Sequence, residues 1–202
     1  MSDFSIVTAT FNAGGSIRRC LQSVQKNRLA ETEHLVIDNQ SSDDTLEKVR
    51  AFGNVRVISE KDNGIYEAMN KGIRSAGNEL TACLNADDAY LPGTLEAVKE
   101  RFESVPESDI VYGNILVNGR EVKPPGGIAS FGGARIFHPA AFVLTSLGEH
   151  SEYEHMEKML LDAICIEPIE YTNSDIVSKD KTEKYEKYKS KNYTPTKHEY
   201  IE

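Results

Sequence analysis

The first half of the chain alternates short apolar segments with amphipathic ones, and this alternation constrains the fold more than any other feature. Residues 4–10 (FSIVTAT) form a β-branched run, and residues 15–25 place apolar side chains at the three- and four-residue spacing of a helix. The same order recurs along the chain without any repeat in sequence. Strands that alternate with helices in this way build a parallel sheet covered by helices, so the chain is predicted to be an α/β protein. The predicted strands are 4–10, 34–38, 55–59 and 79–86, and the predicted helices are 15–25, 42–52, 64–76 and 91–104.

The second half of the chain loses this periodicity. Residues 109–119 are predicted to be a pair of strands, and residues 123–135, rich in glycine and proline, a loop. An amphipathic helix is expected over residues 152–164, and the mixed-charge segment 179–193 is expected to be a solvated helix or disordered. With 202 residues, 39% of them hydrophobic, the chain has enough apolar material for one well-filled domain.

Charge, cysteine content and hydropathy exclude several classes of protein. The net charge of -9 argues against general nucleic-acid binding, because phosphate backbones are bound by surplus lysine and arginine. Cys20, Cys83 and Cys165 are widely spaced and form no Cys-x-x-Cys pair, so we expect reduced thiols. No apolar run approaches the roughly 20 residues that cross a bilayer, and no signal peptide is visible, so the predicted location is cytoplasmic.

Polar or aromatic side chains follow each of the four predicted strands. The carboxyl ends of parallel strands meet at one edge of the sheet, where such sheets bind ligands, so we predict a functional site at this edge. Asp87 and Asp88 repel each other there unless a cation offsets their charge. The residues at the strand ends are Phe11, Asn12, Asp38, Asp62, Asp87 and Asp88.

The chemistry of these residues indicates a metal and a nucleotide. Mg²⁺ and Mn²⁺ take oxygen ligands and are typically held by one or two carboxylates together with substrate phosphates, so Asp87 and Asp88 predict a diphosphate-bearing substrate with Mn²⁺ or Mg²⁺. Asp38 is suited to accept a hydrogen bond from a base or ribose. Phe11 offers a ring face on which a base can stack, with a core aromatic as the alternative.

Four ordered segments of the chain resemble family 2 glycosyltransferases of the GT-A fold, in particular the small bacterial enzymes that build surface polysaccharides. The segments are SIVTATFNAGGSIRRCLQSV, HLVIDNQSSDDT, SEKDNGIYEAMNKGIRSAGNEL and LNADDAYLPGTL. The resemblance covers residues 4–118 and implies a Rossmann-like, mostly parallel sheet flanked by helices, with a short C-terminal acceptor region. The implied organisation is a glycosyltransferase domain over residues 1–175 and a charged C-terminal tail over residues 176–202. The domain consists of a nucleotide-sugar-binding half, 1–118, and a reduced acceptor half, 119–175.

The resemblance also implies roles for individual residues. Phe11 and Asp38 would hold the nucleobase, Asp62 would lie by the donor pocket, Asp87 would contact ribose or sugar, and Asp88 would ligate the metal that bridges the diphosphate. The further donor-binding residues that it implies are Thr8, Ala9, Asn12, Gly64, Asn70, Asn85 and Ala86. His138 lies in FHPAAF, which resembles a family segment that contains a histidine, and is a candidate for a phosphate or acceptor contact, with an ordinary packed histidine as the alternative.

By this resemblance the protein would be a metal-dependent inverting glycosyltransferase that moves a sugar from a nucleotide diphosphate sugar, with UDP as the default, to a hydroxyl of a glycan or lipid-linked glycan. The chain has no tryptophan, so the Gln-x-x-Arg-Trp motif of processive synthases is absent and non-processive transfer is predicted. Asn39 and Gln40 replace the family's usual Gly or Asp, and Asn85 stands where Asp is frequent.

Two other functions stay open at this point. One is a nucleotide-sugar-binding module without turnover. The other is a nucleotidyltransferase, which ranks last because the arginines of TATFNAGGSIRR lie one helical turn too late for a basic triphosphate loop. The donor sugar, the acceptor and the oligomeric state are not predicted.

The catalytic base is sought in the helix predicted over 152–164. Glu157 shares a helical face with the apolar residues three, four and seven positions on, whereas Glu154 shares its face mostly with charged residues. A carboxylate at the head of an apolar face is directed inward, where partial burial would raise its pKa toward the value that suits a general base. Glu157 is therefore the predicted base, ahead of Glu154, and Glu152 or no base at all stays open.

Overall fold

The computed structural model describes residues 4–106, 108, 110–123, 138–145 and 164–171. These residues belong to one unit, Met1–Thr172, so the charged tail predicted at 176–202 lies outside them. A 3-10 turn spans His138–Ala140. The helices and strands are, in chain order, β1 Phe4–Thr10, α1 Ile17–Asn27, β2 Glu33–Asp38, α2 Thr45–Arg50, β3 Val55–Ser59, α3 Ile65–Ser75, β4 Leu80–Cys83, α4 Thr94–Ser104, β5 Ile110–Val117, β6 Arg120–Val122, β7 Ala141–Leu144 and β8 Ile164–Tyr171.

All the strands form one mixed sheet in the order β3-β2-β1-β4-β7-β5-β6, with β8 also paired to β5. The first four strands in this order run parallel to one another. Strand β7 is antiparallel to both neighbours, β4 and β5, and β8 runs parallel to β5. Strand β6 returns along β5 after a two-residue turn at Asn118 and Gly119, both of which have positive φ as a tight hairpin requires. The sheet is therefore mostly parallel and flanked by helices, and the predicted fold class is confirmed.

Strands β1, β2 and β4 are buried on both faces, whereas the edge strand β3 is half-buried. Burial on both faces is why the first three read as mainly apolar runs in the sequence. Alternate residues of β2 face opposite layers: Leu35 and Ile37 pack in the core beneath α3, and Val36 packs with Ile17 and Leu21 of α1. The apolar residues whose spacing predicts the first helix are thus the residues that α1 buries. Cys20 and Cys83 are buried, free thiols, in agreement with the prediction.

Helix α3 packs unusually close to β1, and a glycine makes this possible. A Cβ atom added at Gly72 would lie 2.1 Å from Val7 Cγ1, well inside the distance at which two carbon atoms can approach. Helix α3 contacts β1 and β2 along the layer that holds Met69 and Ile73. The close approach fixes how far the first turn of α3 stands from the ends of these strands.

The elements differ from the predicted ones mainly at their ends. Helix α2 begins at Thr45 rather than at residue 42. The Ser42 N–H donates to Asn12 in the first loop, and the Asp43 carboxylate accepts the Thr45 N–H at 3.0 Å just before the helix. Strand β4 ends at Cys83 rather than at residue 86, because the chain turns so that the Asp88 N–H donates to the Asn85 carbonyl, at 3.0 Å.

The second half differs in larger features. The strand pair predicted within 109–119 is a single strand, β5, and its partner β6 follows the turn. Ile164, predicted as the end of a helix, begins β8, while the rest of that helix and most of the predicted loop 123–135 lie outside the described residues. In the part of the chain that is described, no helix has the length and apolarity needed to span a membrane.

Candidate functional site

The carboxyl ends of β1 to β4 meet at one edge of the sheet, and the loops that leave them form the candidate site. The Asn39 N–H donates to the Thr10 carbonyl at 3.0 Å, which holds the ends of β1 and β2 together. Because β7 runs antiparallel to β4 and pairs Phe142 with Ala82, the 3-10 turn that precedes β7 lies toward this same edge. The backbone of His138 is therefore placed at the predicted edge, although its side chain is not among those described.

Asp88 occupies the loop that follows β4 and is almost completely buried, with 1% of its surface exposed. Its Oδ2 atom accepts a hydrogen bond from the Asn85 side-chain amide at 3.0 Å. Its Oδ1 atom has no hydrogen-bond partner among the described residues. A buried carboxylate oxygen without a donor is unfavourable, so Asp88 is prepared to receive a cation or a proton.

The electrostatics of Asp88 agree with this geometry. Burial, with a smaller contribution from the neighbouring charge of Asp87, raises the pKa of Asp88 to about 7. The Asn85 hydrogen bond and the positive charge of Arg19, on α1, act in the opposite direction but are weaker. Arg19 is thus a partial counter-charge to Asp88 that the sequence pattern did not reveal.

Asp38 ends β2 and is fully buried. Its Oδ2 atom accepts hydrogen bonds from the Ser59 hydroxyl at 2.7 Å and from the Ser41 N–H at 3.0 Å, and its Oδ1 atom accepts one from the Ser41 hydroxyl. Three protein donors therefore surround this carboxylate. In the described structure Asp38 organises the loop after β2, and its predicted contact with the nucleobase stays a prediction.

The loops after β1 and β2 are joined by a network of hydrogen bonds. Asn12, with positive φ, accepts the Ser42 N–H at 2.9 Å, and its own N–H donates to the Ser41 hydroxyl at 2.9 Å. The Gly14 N–H donates to Asp43 at 3.0 Å. Gly14 allows this approach, because a Cβ atom at that position would lie 1.9 Å from the Asp44 carboxylate. The network makes the two loops one rigid wall of the site.

Asp62, after β3, is held in the same way. Its N–H donates to the Asn39 side chain at 2.9 Å, and its Oδ1 atom accepts the Gly64 N–H at 2.9 Å. The residue is 7% exposed, and its Oδ2 atom has no partner within the residues that the structure describes. Asn39, where the resemblance leads one to expect Gly or Asp, thus ties the second loop to the third.

Phe11 is the most exposed large apolar side chain of the described residues, at 60%. The alternative of a core aromatic is therefore wrong, and the ring is free to offer a face to a planar ligand. Ile65 and Tyr66, at the start of α3, are also exposed, each at 48%. Neither residue is among the predicted site residues.

Four other predicted residues differ in how far they are buried. Thr8 and Ala9 lie inside β1, and the Thr8 hydroxyl is within 2.9 Å of His34 Nε2, in a buried pair where desolvation lowers the pKa of His34 to about 3. Ala86 is buried, while Asn70 of α3 is half-buried. The Thr8 side chain therefore points into the core, and the residue lies within β1 rather than at the carboxyl end of the strand.

Several assignments lie beyond what the structure describes. Glu152, Glu154 and Glu157, the candidates for the base, are outside the described residues and stay predictions. Within the described ranges, no group of three or more His, Cys, Asp or Glu side chains is arranged to hold a metal ion. Three buried carboxyl groups, Asp38, Asp62 and Asp88, thus lie at the site, and Asp87 is beside the last of them.

Comparisons with known proteins agree with this geometry. The model of the family described as "Glycosyl transferase family 2" matches residues 5–157. A "PGL/p-HBAD biosynthesis glycosyltransferase" of Mycobacterium bovis (strain BCG / Pasteur 1173P2) is 30% identical over 120 residues, which are 56% of this chain and 47% of that protein. The chain thus spans about half the length of this curated relative.

Solved structures show the same fold at low sequence identity. S. aureus TarS 1-349 in complex with UDP-GlcNAc superposes with a TM-score of 0.71 at 20% identity, covering 86% of this chain and 59% of that one. The mannosyltransferase PcManGT from Pyrobaculum calidifontis in complex with GDP-Man and Mn²⁺ gives a TM-score of 0.66 at 18% identity, covering 87% and 58% of the two chains. These likenesses confirm the GT-A fold.

The family match extends over both the parallel strands and the antiparallel β7, so it includes every strand end of the candidate site. Because it spans well over half of the 202 residues, this chain belongs to glycosyl transferase family 2.

Proposed function

We propose that this protein is a metal-dependent, inverting glycosyltransferase that moves a sugar from a UDP-sugar to a hydroxyl of a glycan or lipid-linked glycan acceptor. The observation that carries the proposal is Asp88, a carboxyl group with 1% exposure and one oxygen without a partner in the described part of the chain. Its position at the carboxyl edge of a parallel sheet, beside Asp87, is where a diphosphate and its metal would be held.

The residues present fit a hard divalent cation. Asp88 and Asp87 offer oxygen ligands, and one or two carboxylates with substrate phosphates are the usual protein contribution to a Mg²⁺ or Mn²⁺ site. A cation bound there would offset the negative charge that develops on the leaving diphosphate. The complex of PcManGT with Mn²⁺ supports this assignment.

The loops that follow β1 and β3 suit a nucleoside. The exposed ring of Phe11 would stack on the base, and Asp62 would accept a hydrogen bond through the oxygen that has no partner among the described residues. Asp38 and Asn12 hold the loops that carry these groups. The TarS complex with UDP-GlcNAc supports a UDP-sugar as the donor, and the PcManGT complex makes GDP-mannose the competitor to test.

Inversion requires one direct displacement by the acceptor hydroxyl, and this needs a base that removes the hydroxyl proton. Glu157 is the proposed base and Glu154 the alternative. Replacing the base with glutamine should lower turnover by about 10² or more and change donor binding only slightly, because the base acts on the acceptor. Loss of transfer in Glu154→Gln with wild-type transfer in Glu157→Gln would reverse the assignment.

The proposal is tested by a donor-hydrolysis panel of UDP- and GDP-sugars with Mn²⁺, Mg²⁺ or EDTA. Release of UDP from one UDP-sugar, dependent on the metal and abolished by Asp88→Asn, is the expected result. Exposed Glu96→Gln on α4 serves as a control that should leave hydrolysis unchanged.

Two other results would contradict the proposal. Equal release in EDTA would exclude the metal requirement. Binding of nucleotide sugars with no release from any of them, even with acceptor extracts present, would instead support a nucleotide-sugar-binding module without turnover.

A further inference from the structure

The loop between β3 and α3, residues 60–64, carries a buried carboxyl group of which the protein uses one oxygen. Asp62 is 7% exposed, and its Oδ1 atom accepts the Gly64 N–H at 2.9 Å, whereas its Oδ2 atom has no partner among the described residues. A buried acceptor without a donor is unfavourable unless a ligand supplies the donor. The position of this one oxygen therefore matters for a ligand at the strand ends.

The side chain of Lys71, in the middle of α3, holds the chain just before Asp62. Its Nζ atom donates to the Lys61 carbonyl at 2.9 Å. The same atom lies 3.1 Å from the Glu60 carboxylate and 3.3 Å from the Glu67 carboxylate. Only 17% of the Lys71 side chain is exposed, so these contacts are partly shielded from water and salt. Lys71 thus fixes the backbone on one side of Asp62.

Glu67, one turn earlier on the same helix, holds the chain just after Asp62. Its Oε2 atom accepts the Asn63 N–H at 2.9 Å and the Asn63 side-chain amide at 2.6 Å. Glu67 also pairs with Lys71, so the two side chains act together. The Lys71–Glu67 pair therefore contacts the loop on both sides of Asp62.

The helix that carries this pair is itself fixed to the sheet. Gly72 follows Lys71 and lies so close to β1 that an added Cβ atom would be 2.1 Å from Val7 Cγ1. Met69 and Ile73, on the same helix, are buried in the core. The pair therefore connects the loop to an element that is anchored in the core.

We propose that Lys71 is a positioning residue of the donor site, which together with Glu67 holds residues 60–64 so that the Asp62 Oδ2 atom can accept a hydrogen bond from the nucleoside of the donor. The inference rests on the proposed function, because the bound nucleoside is its premise. A loop that is already held in its binding conformation loses less conformational freedom when the ligand binds, and this strengthens binding. In this role Lys71 acts through Asp62 rather than on the ligand.

An ordinary surface role for Lys71 makes a different forecast. Glu and Lys four residues apart on a helix stabilise it slightly, and the Glu67 and Glu60 side chains are 37% and 55% exposed. With that role alone, loss of Lys71 would change stability by a small amount and leave nucleotide binding as it is. Nucleotide affinity therefore separates the two roles.

The experiment is a double-mutant cycle on UDP binding, measured by calorimetry on the full chain with Mn²⁺ present. Asp62→Asn keeps an acceptor for the Gly64 N–H and replaces the other oxygen with an NH₂ group, so it should raise the UDP dissociation constant about tenfold. Lys71→Met alone should raise it about fivefold. Added to Asp62→Asn, Lys71→Met should raise it further by less than about twofold, because the oxygen that Lys71 positions is already gone.

Lys123→Met is the matched control. Lys123 also pairs with a glutamate, Glu121 at 3.4 Å, but it follows β6, which lies at the other end of the strand order from β3. Its loss should leave UDP binding unchanged. Glu67→Ala removes the other member of the pair and should weaken UDP binding in the same Asp62-dependent way. Thermal unfolding without nucleotide should change little in Lys71→Met, because its glutamate partners are partly exposed.

The possible results separate the inference from the proposed function. Unchanged UDP affinity in Lys71→Met, or an equal loss in the wild-type and Asp62→Asn backgrounds, would overturn the Lys71 role alone. UDP affinity of Asp62→Asn equal to that of the wild type would overturn the Asp62 contact and the Lys71 role with it. No UDP binding by the wild type would overturn the proposed donor as well.

Discussion

Replacing Asp88 with asparagine should stabilise the metal-free protein, and the gain should depend on pH. The pKa of Asp88 is raised from 3.8 to about 7, so the folded protein holds this proton more tightly than the unfolded chain does. The stability associated with the protonated carboxyl is then fully present below the unfolded value of 3.8 and is lost as pH rises through 7. Asparagine mimics the protonated form at every pH and avoids this loss.

The size of the effect follows from the shift. One pKa unit corresponds to about 1.4 kcal/mol, so the shift at Asp88 corresponds to about 4 kcal/mol above neutral pH. At pH 5 most of this loss has not yet occurred. The advantage of Asp88→Asn over the wild type should therefore shrink by about 2.5 kcal/mol between pH 8 and pH 5.

Urea denaturation in EDTA at pH 5, 6, 7 and 8 measures this difference. Asp43→Asn is the control of opposite sign: the Thr45 hydroxyl and the backbone N–H groups of Thr45 and Gly14 lower the pKa of Asp43 below 3.8. The stability that Asp43 contributes is present above that value and lost only below it, so its removal should destabilise the protein equally at all four pH values. A constant difference between Asp88→Asn and the wild type from pH 5 to pH 8 would refute the reasoning.

Three further predictions concern the wall formed by the first two loops. Gly14→Ala should weaken UDP binding with only a small loss of stability, because its Cβ would lie 1.9 Å from the Asp44 carboxylate, the end of a half-exposed side chain that can turn away, and 2.9 Å from Asp43 Oδ2, which joins the two loops. Gly15→Ala, with nothing within 4 Å, should be neutral by thermal unfolding and UDP titration. Phe11→Ala should weaken UDP binding by about 1 kcal/mol in calorimetry with no loss of stability, since the ring is exposed, and an unchanged affinity would place the base elsewhere. Asp38→Asn should lower the free energy of unfolding in urea by about 1 to 3 kcal/mol, because an amide group cannot accept hydrogen bonds from all the donors that now surround the carboxylate. An equally stable variant would contradict this.

The parallel half of the sheet was predictable because three of its strands, β1, β2 and β4, are buried on both faces. Each of them is a short, mainly apolar run. The half-buried edge strand β3 was predictable from its β-branched residues, and its predicted bounds, 55–59, agree with the structure. The insertion of β7 between β4 and β5 was not predictable. It depends on pairing between Thr81 and Val143, two residues that are far apart in the chain, and the apolar pattern of β7 does not specify a partner.

The residues at the strand ends were predictable for a topological reason, while their partners were not. Asp38 and Asp88 lie at the expected edge because every parallel strand ends there. The contribution of Arg19 to Asp88 depends on how α1 packs against the loop after β4, which the sequence does not reveal. Ser59 could have been found, because it ends β3 opposite Asp38 in the register of β2 and β3.

The close contact between Gly72 and Val7 predicts a pattern of substitution among homologues. Since a methyl group at position 72 would meet the Val7 side chain at 2.1 Å, a larger residue at 72 should be tolerated only where position 7 has become smaller. The two positions should therefore vary together, and Val7→Ala should partly rescue Gly72→Ala in an engineered pair. For a designer, this makes the spacing between α3 and β1 adjustable. Exchanging volume between these two side chains would move the start of α3, and with it Asp62, by substitutions at two buried positions that are not themselves residues of the proposed donor site.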